Sequence, residues 1–395
     1  MNASAHPIPS PVNKPMRILA LAPLCAIFIL FSTRATAQLV FSGEASATVL
    51  DADGALKVRV PNSGKSTFGW RFDLFADAIV AENVSFISNI RVFQNEDPAF
   101  DFVAIRLTDL TPLGLNIQVG KFDLPFGNLG ERRFVSRNPL YSLPLPYEYG
   151  TALPSTPVSF QEMLGHRGAG IGMRMLDFGM YDVGAMVYGS WESFGYAVAL
   201  HNGTVSATSN RLSNGNGDFG KIVRLTWSPM QEIVLGAGYA WGAYPSVGTT
   251  SSAYPDDPVV STSGNEQQRM MEADVELNTG HLTVFAQAVH GVWDVPFETE
   301  PGKHELAATG WYGEVKYTFM PHLYGAVRAS GVLFSDVINK GITGSWDAGL
   351  QEFEAGVGYT VTRNVITKLV YRHTVPNGGG SPQAGLGVAQ LVVRF

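Results

Sequence analysis

Apolar and polar residues alternate along most of this chain with a period of two, which marks half-buried strands. In "FGWRFDLFADA", Phe68, Trp70, Phe72 and Leu74 share one face, and Arg71, Asp73 and Asp77 lie opposite. In "WYGEVKYTF", Trp311, Val315, Tyr317 and Phe319 oppose Glu314 and Lys316. "FEAGVGYTV" groups Phe353, Val357, Tyr359 and Val361, and the closing "VAQLVVRF" sets Leu391, Val393 and Phe395 against Gln390 and Arg394. The unit predicts strands at 41–50, 66–79, 82–94, 99–109, 113–123, 167–176, 180–188, 193–202, 218–228, 231–243, 267–278, 280–290, 307–319, 321–333, 350–360, 364–373 and 385–395. The fold class is therefore all-β.

Alternation also suits a soluble sandwich, so the connections decide. Tight turns occur at "LTPLG", "SPMQE", "LNTGH", "FMPH" and "VTRN", and longer polar stretches at 203–217, 244–266, 291–306 and 334–349. Short turns on one rim and long loops on the other describe a transmembrane antiparallel β-barrel of the outer-membrane type. Trp227, Tyr317, Phe319 and Tyr359, beside the short turns, suit an interfacial aromatic girdle. Single-chain bacterial barrels have even strand numbers, so one of these strands is surplus. Counting inward from both ends places it between 167 and 192, and 180–188 is the weaker candidate. About sixteen strands are expected, with eighteen possible if one has gone unrecognised.

The N-terminus agrees with this destination. Lys14 and Arg17 precede an apolar run from Ile18 to Phe31, which ends at Ala35-Thr36-Ala37. The run is shorter than the roughly 20 residues a membrane-spanning helix needs, and its order is that of a cleaved secretory signal over residues 1–37. An uncleaved anchor helix is the alternative, and Met16 is an alternative start. Cleavage leaves one barrel domain, 38–395, with too little chain ahead of its first strand for a plug. It also removes Cys25, the single cysteine, excluding disulfides and thiolate chemistry. Without Lys14, Arg17 and Arg34, 24 Lys and Arg face 34 Asp and Glu, an acidic balance that argues against nucleic acid.

The longest connection, 124–165, carries six prolines and the core "GERRFVSRNPLYSLPLPYEYG". Long loops within compact architectures are usually functional or disordered. Its prolines and aromatics favour packing on the inner wall, which would bring Arg132, Arg133 and Arg137 to a constriction facing Glu131 and Glu148. A solvated outer loop is the alternative. The inward polar faces add Arg71, Asp73, Arg91, Arg106, Arg174, Arg224, Glu272, Asp274 and Arg328 to a pore lining of both signs. Glu314, Lys316, Glu352, Glu354, Lys368 and Arg372 share those faces.

The stretch "IQVGKFDLPFG" (Ile117–Gly127) resembles the strand-and-turn "GKF…PFG" pattern of the phosphate-selective porin family. "YAVALHNG" (Tyr196–Gly203) and the following "GKIVRLTWSP" resemble that family's next recurrent segment. These motifs span about a tenth of the chain, and the strand layout agrees throughout. The resemblance implies a sixteen-stranded homotrimeric porin in the Gram-negative outer membrane, passing small anions past a file of lumen arginines and a lysine cluster. No counterpart of that lysine cluster can be placed here. It also implies that Phe395 closes the last strand as the signal read by the outer-membrane barrel assembly machinery.

Other chemistry is thin. No G-x-S-x-G occurs, and His166, His201, His281, His290, His304, His322 and His373 are scattered. "NSGKST" (Asn62–Thr67) has Arg59 where a phosphate-binding loop needs its first glycine. "YPDDP" (Tyr254–Pro258) reads as a loop turn. Nothing points to a metal, a cofactor or an enzyme. The expected function is passive diffusion of small hydrophilic solutes or ions, with a non-conducting structural or adhesive barrel as the alternative.

Overall fold

A computed structural model describes residues 38–53, 66–94, 96–112, 114–156, 158–208, 218–244, 266–295, 305–339, 341–377 and 383–395. The signal segment 1–37, "YPDDP" and most of "NSGKST" lie outside the described residues.

Sixteen strands form the barrel: β1 (Gln38–Ala52), β2 (Thr67–Ala81), β3 (Val84–Phe93), β4 (Ala99–Leu107), β5 (Asn116–Asp123), β6 (Tyr181–Trp191), β7 (Phe194–His201), β8 (Gly220–Met230), β9 (Ile233–Ala243), β10 (Gln267–Thr279), β11 (Leu282–Asp294), β12 (Glu305–Met320), β13 (Leu323–Phe334), β16 (Leu350–Thr362), β17 (Val365–Pro376) and β18 (Ala384–Arg394). A separate hairpin, β14 (Asp336–Asn339) with β15 (Ile342–Ser345), sits in the connection between β13 and β16. Each barrel strand pairs antiparallel with its neighbours, and β1 pairs with β18, so no edge is left to meet lipid.

Two-residue turns at 82–83, 192–193, 231–232, 280–281, 321–322 and 363–364 mark one rim. Gly280 takes the left-handed conformation there (φ 54°), and Glu192 and His322 do so despite their side chains. The longer connections lie at the opposite rim. Trp227, Tyr317, Phe319 and Tyr359 face outward beside the short turns, where the girdle is expected.

Closure depends on the last residue. The N–H of Phe395 donates to the Gly43 carbonyl (3.0 Å) and the N–H of Gly43 to the Phe395 carbonyl (2.9 Å). The Phe395 ring stacks on Phe72 at 6.1 Å and lies over Gly43, where a Cβ would strike the ring and the Asp73 carbonyl.

The structure corrects one choice between two strand candidates. Residues 180–188 belong to the membrane-spanning β6, and 167–176 form no barrel strand. The alternation in "GIGMRMLDF" is real, with Met173 and Met175 buried. Its backbone partners lie in its own loop and, for Asp177, in the connection after β7 (Val205), not on a barrel strand. Thr151 N–H donates to the Met173 carbonyl (2.7 Å), Met173 N–H to the Leu153 carbonyl (2.8 Å), and Gly150 bridges Arg174. Residues 180–188 read as the weaker candidate because small residues occupy both faces of β6. The connection between β5 and β6 accordingly runs from 124 to 180.

Candidate functional site: a channel beside a folded-in loop

The 124–180 connection turns into the barrel and packs on the inner wall. A short 3₁₀ turn (Gly130–Arg133) and two short helices (Leu145–Glu148 and Phe160–Gly165) punctuate it. Pro146 stands in the first turn of the Leu145–Glu148 helix, where its missing N–H matters least. Leu124, Phe126, Leu129, Leu143, Leu145, Tyr147, Met173 and Met175 pack into one core with inward residues such as Ile222, Met270 and Tyr312. The barrel core is thus built by the loop rather than by two facing sheets.

Buried polar side chains on the wall then take up the loop backbone. Glu44 on β1 accepts from Val135 N–H (2.6 Å) and Ser136 N–H (2.9 Å). Glu354 on β16 accepts from Tyr141 N–H and Ser142 N–H, each at 3.1 Å. Lys368 on β17 donates to the carbonyls of Val135, Asn138 and Leu140 at 2.6, 2.7 and 3.2 Å. Main-chain groups removed from water require such partners. These charged side chains therefore fix the path of the loop.

The expected constriction residues separate in space. Arg132 turns into the wall, donating to Glu314 (3.0 Å) and Tyr312 (2.6 Å), and its guanidinium lies 3.6 Å from the Phe285 ring centroid. Burial opposes its charge, but Tyr312 and Glu314 outweigh that and raise its pKa. Arg133 donates to Asp123 (2.7 Å) and to the carbonyls of Gly130 and Gly179. Burial likewise opposes its charge, while Asp123 and Tyr181 hold its pKa above the ordinary value. Arg137 and Glu131 form an exposed pair at 3.5 Å.

Between the loop and the wall of β1 to β4 lies a cavity of about 770 Å³. Arg71, Arg91, Arg133 and Arg174 line it, with Lys121, Tyr141, Glu148, Asp177, Arg372 and Gln390. Burial raises the pKa of Tyr141 to about 12, Glu148 adding to the effect and Arg372 opposing it, so its hydroxyl remains neutral. The lining arginines are matched by carboxylates. Arg71 Nε lies 2.7 Å from Asp73, Arg91 Nε 3.1 Å from Asp101, Arg133 Nη1 2.7 Å from Asp123, and Arg372 Nη1 3.0 Å from Glu148.

The remaining candidates lie away from this cavity. Arg106 points inward nearer the short-turn rim, bound to Gln118 (2.9 Å). Arg224 bridges Glu272 and Asp274 under the loop, and Arg328 is buried between Glu314 and Glu354. Glu44 was not among the residues expected from the sequence, whereas Tyr141 belongs to the loop aromatics expected to pack on the inner wall. Glu44 had a usable signal, since it stands on the inward face of "GEASAT".

No protein-family model and no curated protein matches the chain. Solved structures do resemble it. OmpT, an outer membrane protein of Vibrio cholerae, folded in vitro, superposes with a TM-score of 0.57 at 10% identity, over 92% of this chain and 99% of that one. The outer membrane channel DcaP of Acinetobacter baumannii gives 0.56 at 10%, over 92% and 99%. An anion-selective porin from Comamonas acidovorans gives 0.54 at 9%, over 91% and 100%. At such identities the likeness speaks for the fold. The chain has the sixteen-stranded barrel fold of outer-membrane porins and channels.

Proposed function

We propose that this protein is an outer-membrane porin through which small hydrophilic solutes or ions diffuse passively. The observation that carries the reading is the polar cavity beside the inserted loop, lined by paired charges, hydroxyls and amides. Water-filled barrel lumens narrowed by charged side chains sort solutes by size and charge. An enzymatic role finds little support: His201 is buried against Asp182 (2.8 Å), and His290 bonds Thr309 on the outer surface.

An anion preference is the finer proposal. The Comamonas acidovorans neighbour is described as anion-selective, and the cavity lining includes six basic side chains against Glu96, Asp101, Glu148 and Asp177. The near-complete pairing of these charges argues for a modest preference and against a dedicated phosphate channel. A homotrimer is proposed on similar grounds, one neighbour being described as a trimer form. The outward faces of β1 and β18 carry small residues, Ala45 and Ala47 on the first and Gly385, Gly387 and Ala389 further along the second, which suit close packing of copies. The assembly machinery of the outer membrane is the proposed partner of Phe395.

The test is single-channel recording of the purified, folded barrel in a planar bilayer under a KCl gradient. Stable conductance with a reversal potential on the anion side is expected. A folded barrel that conducts nothing overturns the porin reading and favours the structural or adhesive alternative.

A further inference from the structure

Arg174 differs from the other arginines lining the cavity. The side chains of Arg71, Arg91, Arg133 and Arg372 are 9%, 18%, 5% and 2% exposed, and each has a carboxylate partner at 3.1 Å or less. Arg174 is 41% exposed, and its nearest carboxylate oxygen, on Asp177, is 3.7 Å away, beyond hydrogen-bond range. Among the described residues its side chain makes one hydrogen bond, from Nε to the Glu148 carbonyl at 3.2 Å. That leaves Nη1 and Nη2 without a hydrogen-bond partner among the described residues, on a side chain that lines the cavity.

The backbone beneath this side chain is fixed. Arg174 bridges Gly150, Met173 exchanges hydrogen bonds with Thr151 and Leu153, and Met173 and Met175 are buried on either side. Asp177 is committed elsewhere as well, accepting from the Thr208 hydroxyl and from Phe178 N–H (2.9 Å). Across the same lining, Arg91 lies over the face of Phe178, 5.6 Å from its centroid, which keeps this second guanidinium near residues 177–178.

We propose that Arg174 is the arginine that permeating anions touch, and therefore a residue that sets the ion preference of the pore. The inference rests on the porin reading. A guanidinium with its fork open accepts a carboxylate or phosphate in bidentate fashion, whereas a buried, paired guanidinium would first have to abandon its partner. The other arginines hold the wall and the loop in place.

The barrel offers a clean experiment, because residues 38–395 contain no cysteine. Arg174→Cys is to be recorded in planar bilayers under a KCl gradient before and after a cationic, then an anionic, thiosulfonate reagent. The variant is expected to lower the chloride-to-potassium permeability ratio about two- to fivefold, the opposite effects on the two ions of one charge about 5–8 Å from the ion path, screened over a Debye length of about 10 Å. The cationic reagent should restore the ratio, and the anionic reagent should lower it further. Arg71→Cys, with its side chain packed away, should resist both reagents in the folded barrel.

Asp177→Asn supplies an independent arm with the opposite expected shift. A conducting Arg174→Cys pore that fails to react, or that reacts with no change in reversal potential, overturns the inference and leaves the porin reading intact. So does a conducting Asp177→Asn pore with an unchanged ratio. A folded wild-type barrel without conductance overturns the porin reading and this inference together.

Discussion

Glu354 holds Ser142 twice: one carboxylate oxygen accepts its N–H at 3.1 Å and the other its hydroxyl at 2.7 Å. The two residues are 212 positions apart, one on the barrel wall and one on the inserted loop. The same carboxylate also pairs with Arg328, itself buried beside Glu314. Position of the loop and neutrality of the wall are therefore linked through one side chain.

Glu354→Gln should loosen that link. It leaves Arg328 with Glu314 alone and weakens two backbone contacts. Breaking one partner out of a buried ion network costs about 3–5 kcal/mol. Urea titration of the folded barrel in lipid vesicles should show a loss of that order. Bilayer recordings should show a larger or noisier conductance as the 141–142 segment leaves the wall.

Lys368→Met tests the second fastening. Methionine keeps much of the volume and removes the three donors that serve Val135, Asn138 and Leu140. Each buried carbonyl left without a donor costs about 1–3 kcal/mol, less where lumen water replaces it. The variant should assemble, unfold at lower temperature on heated gel electrophoresis, and lose protease resistance within 135–142 first. Unchanged resistance would show that the loop is held by its apolar core alone.

Closure can be tested at Gly43. A valine there meets the Phe395 ring and the backbone carbonyl of Asp73, which has no room to move. Gly43→Val should reduce the yield of heat-modifiable folded barrel, and Phe395→Ala should partly rescue it by removing the ring. The double variant separates steric closure from any role of the terminal aromatic in assembly.

Tyr141 provides a pH signature. Its folded-state pKa of about 12 stands above the ordinary 10 because the hydroxyl is buried. The neutral form is favoured in the folded state, so stability is intact below pH 10. It falls as the pH rises from 10 towards 12, where the unfolded chain ionises and the folded one does not. The loss attributable to this residue is at most about 3 kcal/mol. Tyr141→Phe should flatten the alkaline limb of the stability profile by that share, read from urea midpoints on either side of pH 10.

Much of the barrel was legible in the chain because a strand between water and lipid writes its two environments into alternate residues. "FGWRFDLFADA" states both faces of β2, and "VAQLVVRF" states both faces of β18 and its closing role. The same logic misplaced β6. Ala185, Gly184 and Gly189 give neither face a strong character, while Met173, Arg174 and Met175 alternate inside a loop that pairs with itself.

Loop asymmetry and aromatic placement are local or additive properties, and the sequence by itself determined them: an all-β outer-membrane barrel of about sixteen strands with one long connection rich in arginine. Which arginines face the channel was decided by tertiary structure. Arg132 and Arg133 are neighbours in sequence, yet one is drawn to Glu314 and Tyr312 on β12 and the other to Asp123 on β5. A buried guanidinium goes where a carboxylate can neutralise it. Those carboxylates lie on strands up to 182 residues away, brought within reach only when the barrel closes.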